Sequence, residues 1–362
     1  MIHLRILQFA STIFFLISTI AHAETLSVRA EHPDGIKVLN MNTSWNIVLE
    51  GEIDIDAPAR VAEALKKAGS DGADVYISSP GGNLLAGIQI GRLIRKAGAN
   101  THIGTLIPDP SQIIIGKLVG VKYMPGYCLS ACTFAFIGGV YRYSLEGSEF
   151  GVHRFSSSSR STSVDLDTAQ IISSEVVAYI REMDVDTGLF DLMVQEGKDG
   201  INVLSNSDMM RLNVVNNGRK KPKWSIEVIE GAQYLRGVQE SIYGQGKALL
   251  TCDKGHMIFS SFYQIGSEKA KSIASGGWYH SLLADGKTIA LPDPAIAIAN
   301  GSEIYTVFPL AKAQAITIAT SPSIGHAIQA GRDAPMYFGY TIDIPASESQ
   351  KVSTFIRNCL KH

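Results

Sequence analysis

Residues 73–98, ADVYISSPGGNLLAGIQIGRLIRKAG, contain the pattern that decides the fold. The segment ADVYISS is short and apolar, and it ends at Pro80-Gly81-Gly82, which is typical of a strand followed by a turn. After the turn, the apolar residues recur with the spacing of one helix face, at Ala86, Ile90, Leu93, Ile94 and Ala97. The stretch therefore predicts a strand, a glycine turn and an amphipathic helix.

The alternation of strand and helix continues on both sides of this stretch. Residues 45–53 predict a strand, and Asp56 is a plausible N-cap for the helix that follows. Residues 149–155 predict another strand, and residues 164–183 and 187–197 predict helices. Repeated units of this kind indicate an α/β layer fold.

The beginning of the chain has the pattern of a signal peptide. Arg5 precedes an apolar run from Ile6 to Ile20, and Ala21-His22-Ala23 matches the cleavage pattern of signal peptidase. We therefore expect residues 1–23 to be removed and the mature protein to be exported, to the periplasm. No later stretch approaches the ~20 apolar residues of a membrane span.

The composition fits one or two globular domains with sizeable cores. The chain has 362 residues, of which 45% are apolar and 18% charged, and its formal net charge is −2. The nearly neutral net charge gives no excess of basic residues of the kind that binds nucleic acid. The nine histidines show no metal-ligand spacing and there is no nucleotide-binding loop, so we predict neither a metal nor a cofactor.

The character of the sequence changes after residue 218. Residues 219–223 lie in a Gly-, Pro- and Lys/Arg-rich run that predicts a linker. Residues 224–362 contain many short apolar segments separated by turn residues, which favours a small β-sandwich or barrel, with a last helix capped near Ser347. We therefore predict an α/β domain at residues 24–218 and a β-rich accessory domain at residues 224–362.

Export permits disulfides, and the four cysteines allow three pairings. Cys252 and Cys359 both lie late in the chain, so we predict that they pair. Cys128 and Cys132 are four residues apart and either form a bridge or remain two small buried thiols.

Three features supply residue types that acyl transfer needs. Gly81 and Gly82 have no side chains, so their backbone N–H groups can approach a ligand closely. Ser130, in GYCLSACTFAF (126–136), lies where a helix begins and free amides favour developing negative charge. His153 follows 23 residues later, and histidine is the usual base for a serine nucleophile. Each feature also has a structural explanation, as a turn, an N-cap or a packed histidine.

Two segments, ISSPGGNLLAGIQIGRLIRKAG and GYCLSACTFAFIGGVYRYSLEGSEFGVHRF, together resemble the catalytic subunit of Clp protease. Its superfamily also includes the signal peptide peptidases of the SppA type and the crotonases. The resemblance covers roughly residues 36–218, and more narrowly the chain resembles exported, Clp-protease-like proteins of bacteria. It implies a Clp protease/crotonase-type domain of repeated ββα units.

The resemblance also implies site residues. Ser130 takes the position of the nucleophile and His153 that of the base. The N–H groups of Gly82 and Ala131 take the positions that bind the oxyanion. The mechanism implied is acyl transfer, in which the serine attacks a peptide carbonyl.

The acidic third member of the triad is where this sequence departs from the family pattern. The aligned position is near Ile201, which has no carboxylate. Asp199, two residues away, is our prediction, and Asp191 is an alternative one helix earlier. A serine–lysine dyad, and a thiol nucleophile at Cys128 or Cys132, are further alternatives.

These observations predict an exported serine peptidase whose partners are peptide or protein substrates. The resemblance adds a homo-oligomer as a further expectation. The alternative is a non-catalytic binding or scaffold protein of the cell envelope on the same fold, because a fold does not determine a function. A crotonase-type acyl-CoA enzyme is a third hypothesis, which export argues against.

Overall fold

The computed structural model describes residues 25–32, 44–114, 118–155, 163–197, 200–332, 334 and 336–361. Within these ranges helices and several sheets are mixed, as expected of an α/β protein. The buried apolar side chains form two separate clusters, one drawn from residues 26–215 and the other from residues 224–359. The predicted linker at 219–223 lies between the two clusters along the chain. The predicted signal peptide lies outside the described residues.

The first half of the chain contains ten strands and six α-helices among the described residues. In chain order they are β1 (Ser27–Glu31), β2 (Trp45–Glu50), α1 (Ala57–Ala68), β3 (Ala73–Ser78), α2 (Leu84–Lys96), β4 (Asn100–Ile103), β5 (Thr105–Ile114), β6 (Leu118–Met124), β7 (Tyr127–Leu129), α3 (Cys132–Ile137), β8 (Arg142–Ser144), β9 (Glu149–Val152), α4 (Ser163–Glu182), α5 (Gly188–Gln195), β10 (Asn202–Val203) and α6 (Asn206–Arg211).

The main sheet of this half has the strand order β1-β2-β3-β4-β8, and all its pairs except β1–β2 are parallel. A smaller sheet has the order β10-β9-β7. The chain just beyond β3 joins the two sheets, because the Ser79 N–H donates to Tyr127 O and the Leu129 N–H donates to Ser79 O. The carboxyl end of β3 therefore lies beside the end of β7, just before α3 begins.

Local sequence explains the unit built from β3 and α2. Ala73, Val75 and Ile77 are buried, as a strand with alternating faces requires. The side chain of Asn83 caps α2 by accepting a hydrogen bond from the Ala86 N–H at 3.0 Å. Strand, turn and helix thus follow the predicted pattern.

Two glycines bring α2 close to α3. The α-carbon of Gly87 faces the carbonyl of Ala131, and the α-carbon of Gly91, one turn later, faces the carbonyl of Phe134. A Cβ at either position would clash with these backbone oxygens. The glycines therefore hold α2 against the segment that carries Ser130.

The segment before Ser130 forms an antiparallel hairpin of β5 and β6.

The second half of the chain contains ten strands and three helices among the described residues. In chain order they are β11 (Lys223–Ile229), β12 (Ala232–Ser241), β13 (Gly244–Asp253), β14 (His256–Gln264), α7 (Ser267–Ala274), β15 (Tyr279–Ala284), β16 (Lys287–Ala290), β17 (Ile296–Asn300), β18 (Glu303–Pro309), α8 (Lys312–Thr320), β19 (Ser323–Gln329), β20 (Phe338–Asp343) and α9 (Ala346–Cys359).

These strands form two antiparallel sheets, in the orders β11-β12-β13-β14-β18-β17 and β16-β15-β19-β20. A disulfide between Cys252 and Cys359 joins β13 to α9, which confirms the predicted pairing. The last helix begins at Ala346 and its N-cap is Pro345, two residues before the predicted cap. Across the described ranges, no helix combines the length and apolar character needed to cross a membrane.

Candidate active site

Ser130 and His153 lie together because the strands that precede them are paired. β7 and β9 run parallel, with Leu129 opposite Gly151, and each strand ends just before one of the two residues. The Ser130 N–H extends the ladder by donating to Gly151 O at 2.9 Å. His153 Nε2 lies 2.7 Å from Ser130 Oγ. A neutral imidazole in this position can accept the hydroxyl proton.

Ser130 has an unusual backbone conformation for a residue with a side chain. Its φ is +56°, in the left-handed region that most side chains avoid. The N-cap of α3 is Ala131 and has no side-chain hydrogen bond, so Ser130 is not an N-cap as its structural explanation supposed. The turn instead presents Ser130 Oγ to His153. Strained backbone of this kind is often found at functional sites.

A disulfide closes the turn around Ser130. Cys128 in β7 and Cys132 at the start of α3 are bonded, and both are fully buried. The two cysteines lie on different elements, and of the two predicted alternatives the structure has the bridge. Because the described residues contain no free thiol, the alternative of a cysteine nucleophile is wrong for this oxidised form.

The double glycine packs directly against the serine turn. Gly81 and Gly82 have φ of +104° and +130°. A Cβ on Gly81 would lie 2.6 Å from Leu129 O, 2.7 Å from Ser130 Cβ and 2.9 Å from Ala131 N. Only glycine permits this approach together with this backbone conformation.

Two backbone amides beside Ser130 are free to bind a ligand. Neither the Gly82 N–H nor the Ala131 N–H donates a hydrogen bond to any residue in the described part of the chain. Both residues line the cleft that contains Ser130 Oγ. Free amides next to a nucleophile can hold the oxyanion of a tetrahedral intermediate.

The third member of the predicted triad is not found among the described residues. Asp199 itself lies outside them, and Asp191 is exposed on α5 with no contact to His153 given by the structure. His153 Nδ1 is buried and has no hydrogen-bond partner within the described ranges. Asn202 pairs with Val152, so the next position, Ile201, lies across from His153, where the family alignment expects an acid.

Ser130 and His153 open into a cleft of about 870 Å³. Its apolar lining comes from five elements or their ends and includes Leu84, Phe134, Phe155, Ile172 and Met193. Its charged lining residues within the described ranges are Glu52 and Asp54, next to Gly82. No lysine is among the described lining residues, so a serine–lysine dyad has no support here.

Sequence reasoning did not identify Glu52, Asp54, Ile172 or Met193 as site residues. A signal existed for the first two, because they follow a strand of the parallel sheet, and ligands of α/β sheets bind at the carboxyl ends of strands. Ile172 and Met193 lie on helices whose apolar residues are indistinguishable in sequence from core positions. Comparison with protein-family models and with curated proteins finds no match for this sequence.

Proposed function

We propose that this protein is an exported serine hydrolase that cleaves peptide bonds. The observation that carries the proposal is the 2.7 Å separation of His153 Nε2 and Ser130 Oγ, with two free amides beside them. The parallel strands β2 and β3, each followed by a helix, and the double glycine against the serine turn support a Clp protease/crotonase-type fold. The apolar cleft offers room for several side chains of an extended peptide.

The reaction follows from the positions of these groups. His153 Nε2 takes the proton of Ser130 Oγ as the oxygen bonds to the substrate carbonyl carbon. The N–H groups of Gly82 and Ala131 donate to the resulting oxyanion. The protonated imidazole then gives its proton to the leaving amine, the C–N bond breaks, and an acyl-enzyme remains. A water molecule, deprotonated by the same imidazole, releases the acid and restores Ser130.

One observation favours the alternative of a non-catalytic binding protein. His153 Nδ1 has no acceptor among the described residues, and Ile201 stands where the family has an acid. Without an acceptor, the tautomer that leaves Nε2 free is less favoured, and loss of the orienting acid in a triad costs about 10⁴ in rate. On this alternative the cleft binds peptides without cleaving them.

Labelling with a fluorophosphonate tests the proposal, because the probe reacts only with an activated serine. We expect labelling at Ser130 in the folded mature protein, its loss in S130A, and a large decrease in H153A. H153G should regain labelling with added imidazole. H256A changes an exposed histidine in the other half of the chain and should label normally. A folded protein that takes up no label between about pH 6 and 9 would favour the binding protein.

A further inference from the structure

Glu52 is a carboxylate without a partner on the wall of the cleft. It is exposed and lies beside the glycine turn, with its Cγ 3.0 Å from the point where a Cβ on Gly82 would stand. Its backbone is bridged to Thr25, but its carboxylate forms no hydrogen bond or ion pair with any described residue. Its charge is therefore available to a bound molecule at the same wall that offers the Gly82 N–H.

Asp54 is also acidic and lines the same cleft, but it is already neutralised. Its carboxylate is paired with the guanidinium of Arg60 and also accepts from the Leu26 N–H. The hydrogen bond from Arg60 is the main reason that the pKa of Asp54 lies below its ordinary value. Among the described lining residues there is no lysine or arginine. Among the described lining residues, Glu52 thus carries the one charge that no opposite charge offsets.

An uncompensated carboxylate next to the oxyanion site affects catalysis in a substrate-dependent way. It repels acidic substrates when they bind, and during the reaction it repels the negative charge that develops on the substrate carbonyl oxygen. A cation on the substrate that pairs with the carboxylate removes this repulsion. The carboxylate therefore discriminates between substrates by their charge.

We propose that Glu52 selects substrates with a cationic group, a Lys or Arg side chain or an N-terminal ammonium, within about two residues of the bond that is cleaved. Two residues of an extended substrate span about 7 Å. A cation that pairs with a carboxylate beside Gly82 must therefore lie close, along the substrate chain, to the carbonyl that the Gly82 N–H binds. The inference rests on the proposed function for its catalytic consequence. The charge of the cleft itself does not depend on catalysis.

A quenched-fluorescence decapeptide of Ala, Leu and Ser tests the proposal when one position is Lys, Gln or Glu in turn. We expect kcat/KM about tenfold higher for Lys than for Gln at one or two positions, and lower again for Glu, as fits a partly screened ion pair. E52Q should bring the three values within about twofold of each other. E63Q, an exposed glutamate on α1 outside the cleft, should keep the preference. Equal values in the unmodified protein, or an unchanged ratio in E52Q, would overturn the inference.

Binding to S130A separates this inference from the proposed function. The same three peptides are titrated into S130A and into S130A/E52Q, with binding measured by fluorescence anisotropy. If Ser130 takes no fluorophosphonate label yet the Lys peptide binds more tightly and only with Glu52 present, catalysis is refuted and the charge selection stands. If Ser130 is labelled but peptide charge affects neither binding nor kcat/KM, the charge selection fails alone. Absence of any binding to S130A also counts against it.

Discussion

Replacing Gly81 with alanine should push the glycine turn away from the turn that carries Ser130. The new Cβ would lie 2.6 Å from Leu129 O, 2.7 Å from Ser130 Cβ and 2.9 Å from Ala131 N. Ordinary contacts begin near 3.4 Å, so the glycine turn and the serine turn must move apart by roughly 0.5–0.8 Å. Catalytic geometry tolerates only about 0.5 Å. The shift carries the Gly82 N–H away from the Ala131 N–H and from Ser130 Oγ.

The expected consequence is a loss of reactivity larger than the loss of stability. A displacement of this size costs about 10² in rate. The left-handed φ of +104° adds backbone strain of about 1–3 kcal/mol to the folded state. The rate of fluorophosphonate labelling at Ser130 measures the first effect, and chemical denaturation measures the second.

Gly72 provides a matched control in the same half of the molecule. Its φ is +80°, yet a Cβ there would have no neighbour within 4 Å. G72A should therefore carry a similar backbone strain and label at the normal rate. A folded G81A protein that labels as fast as G72A would show that contact between the two turns does not position the reacting groups.

Three further predictions concern the disulfides and pH. C252A/C359A opens a loop of 107 residues and should lower the free energy of unfolding by about 4–5 kcal/mol, with Ser130 labelling unchanged; chemical denaturation that shows no loss contradicts this. C128A/C132A opens a loop of four residues and should lower the free energy of unfolding by only about 2 kcal/mol. It should nevertheless slow labelling of Ser130 at least about tenfold, because the disulfide no longer holds the turn around Ser130. Unchanged labelling would show that the disulfide does not hold this turn in its reactive shape. Burial lowers the pKa of His280 to about 4 from 6.5, so between these values the unfolded chain binds more protons. The free energy of unfolding should thus fall by about 2–3 kcal/mol as pH drops from 6.5 to 4, and by less in H280Q. Chemical denaturation at pH 7 and at pH 4.5 measures this fall, and an equal fall in H280Q and in the unmodified protein would refute the prediction.

Local features of the sequence determined the elements and part of the site. The apolar periodicity of residues 73–98 predicted β3 and α2, because a strand and a helix each bury one face and the repeat differs between them. Gly81 and Gly82 could be identified as a close approach of backbone, since only glycine serves there. These properties depend on neighbouring residues in the chain, and a single sequence contains them.

Tertiary structure alone decided what those elements bring together. The parallel register of β7 and β9 places His153 against Ser130 across 23 residues, and nothing in either segment specifies that register. The pairing of Cys128 with Cys132 depends on a Cα–Cα distance of 5.2 Å, made by a strand ending where a helix begins. Glu52 and Asp54 look alike in sequence, but Arg60 folds back onto Asp54 alone. Charge, distance and solvent access at a site are properties of atoms far apart in the chain, so they arise only when the chain is packed.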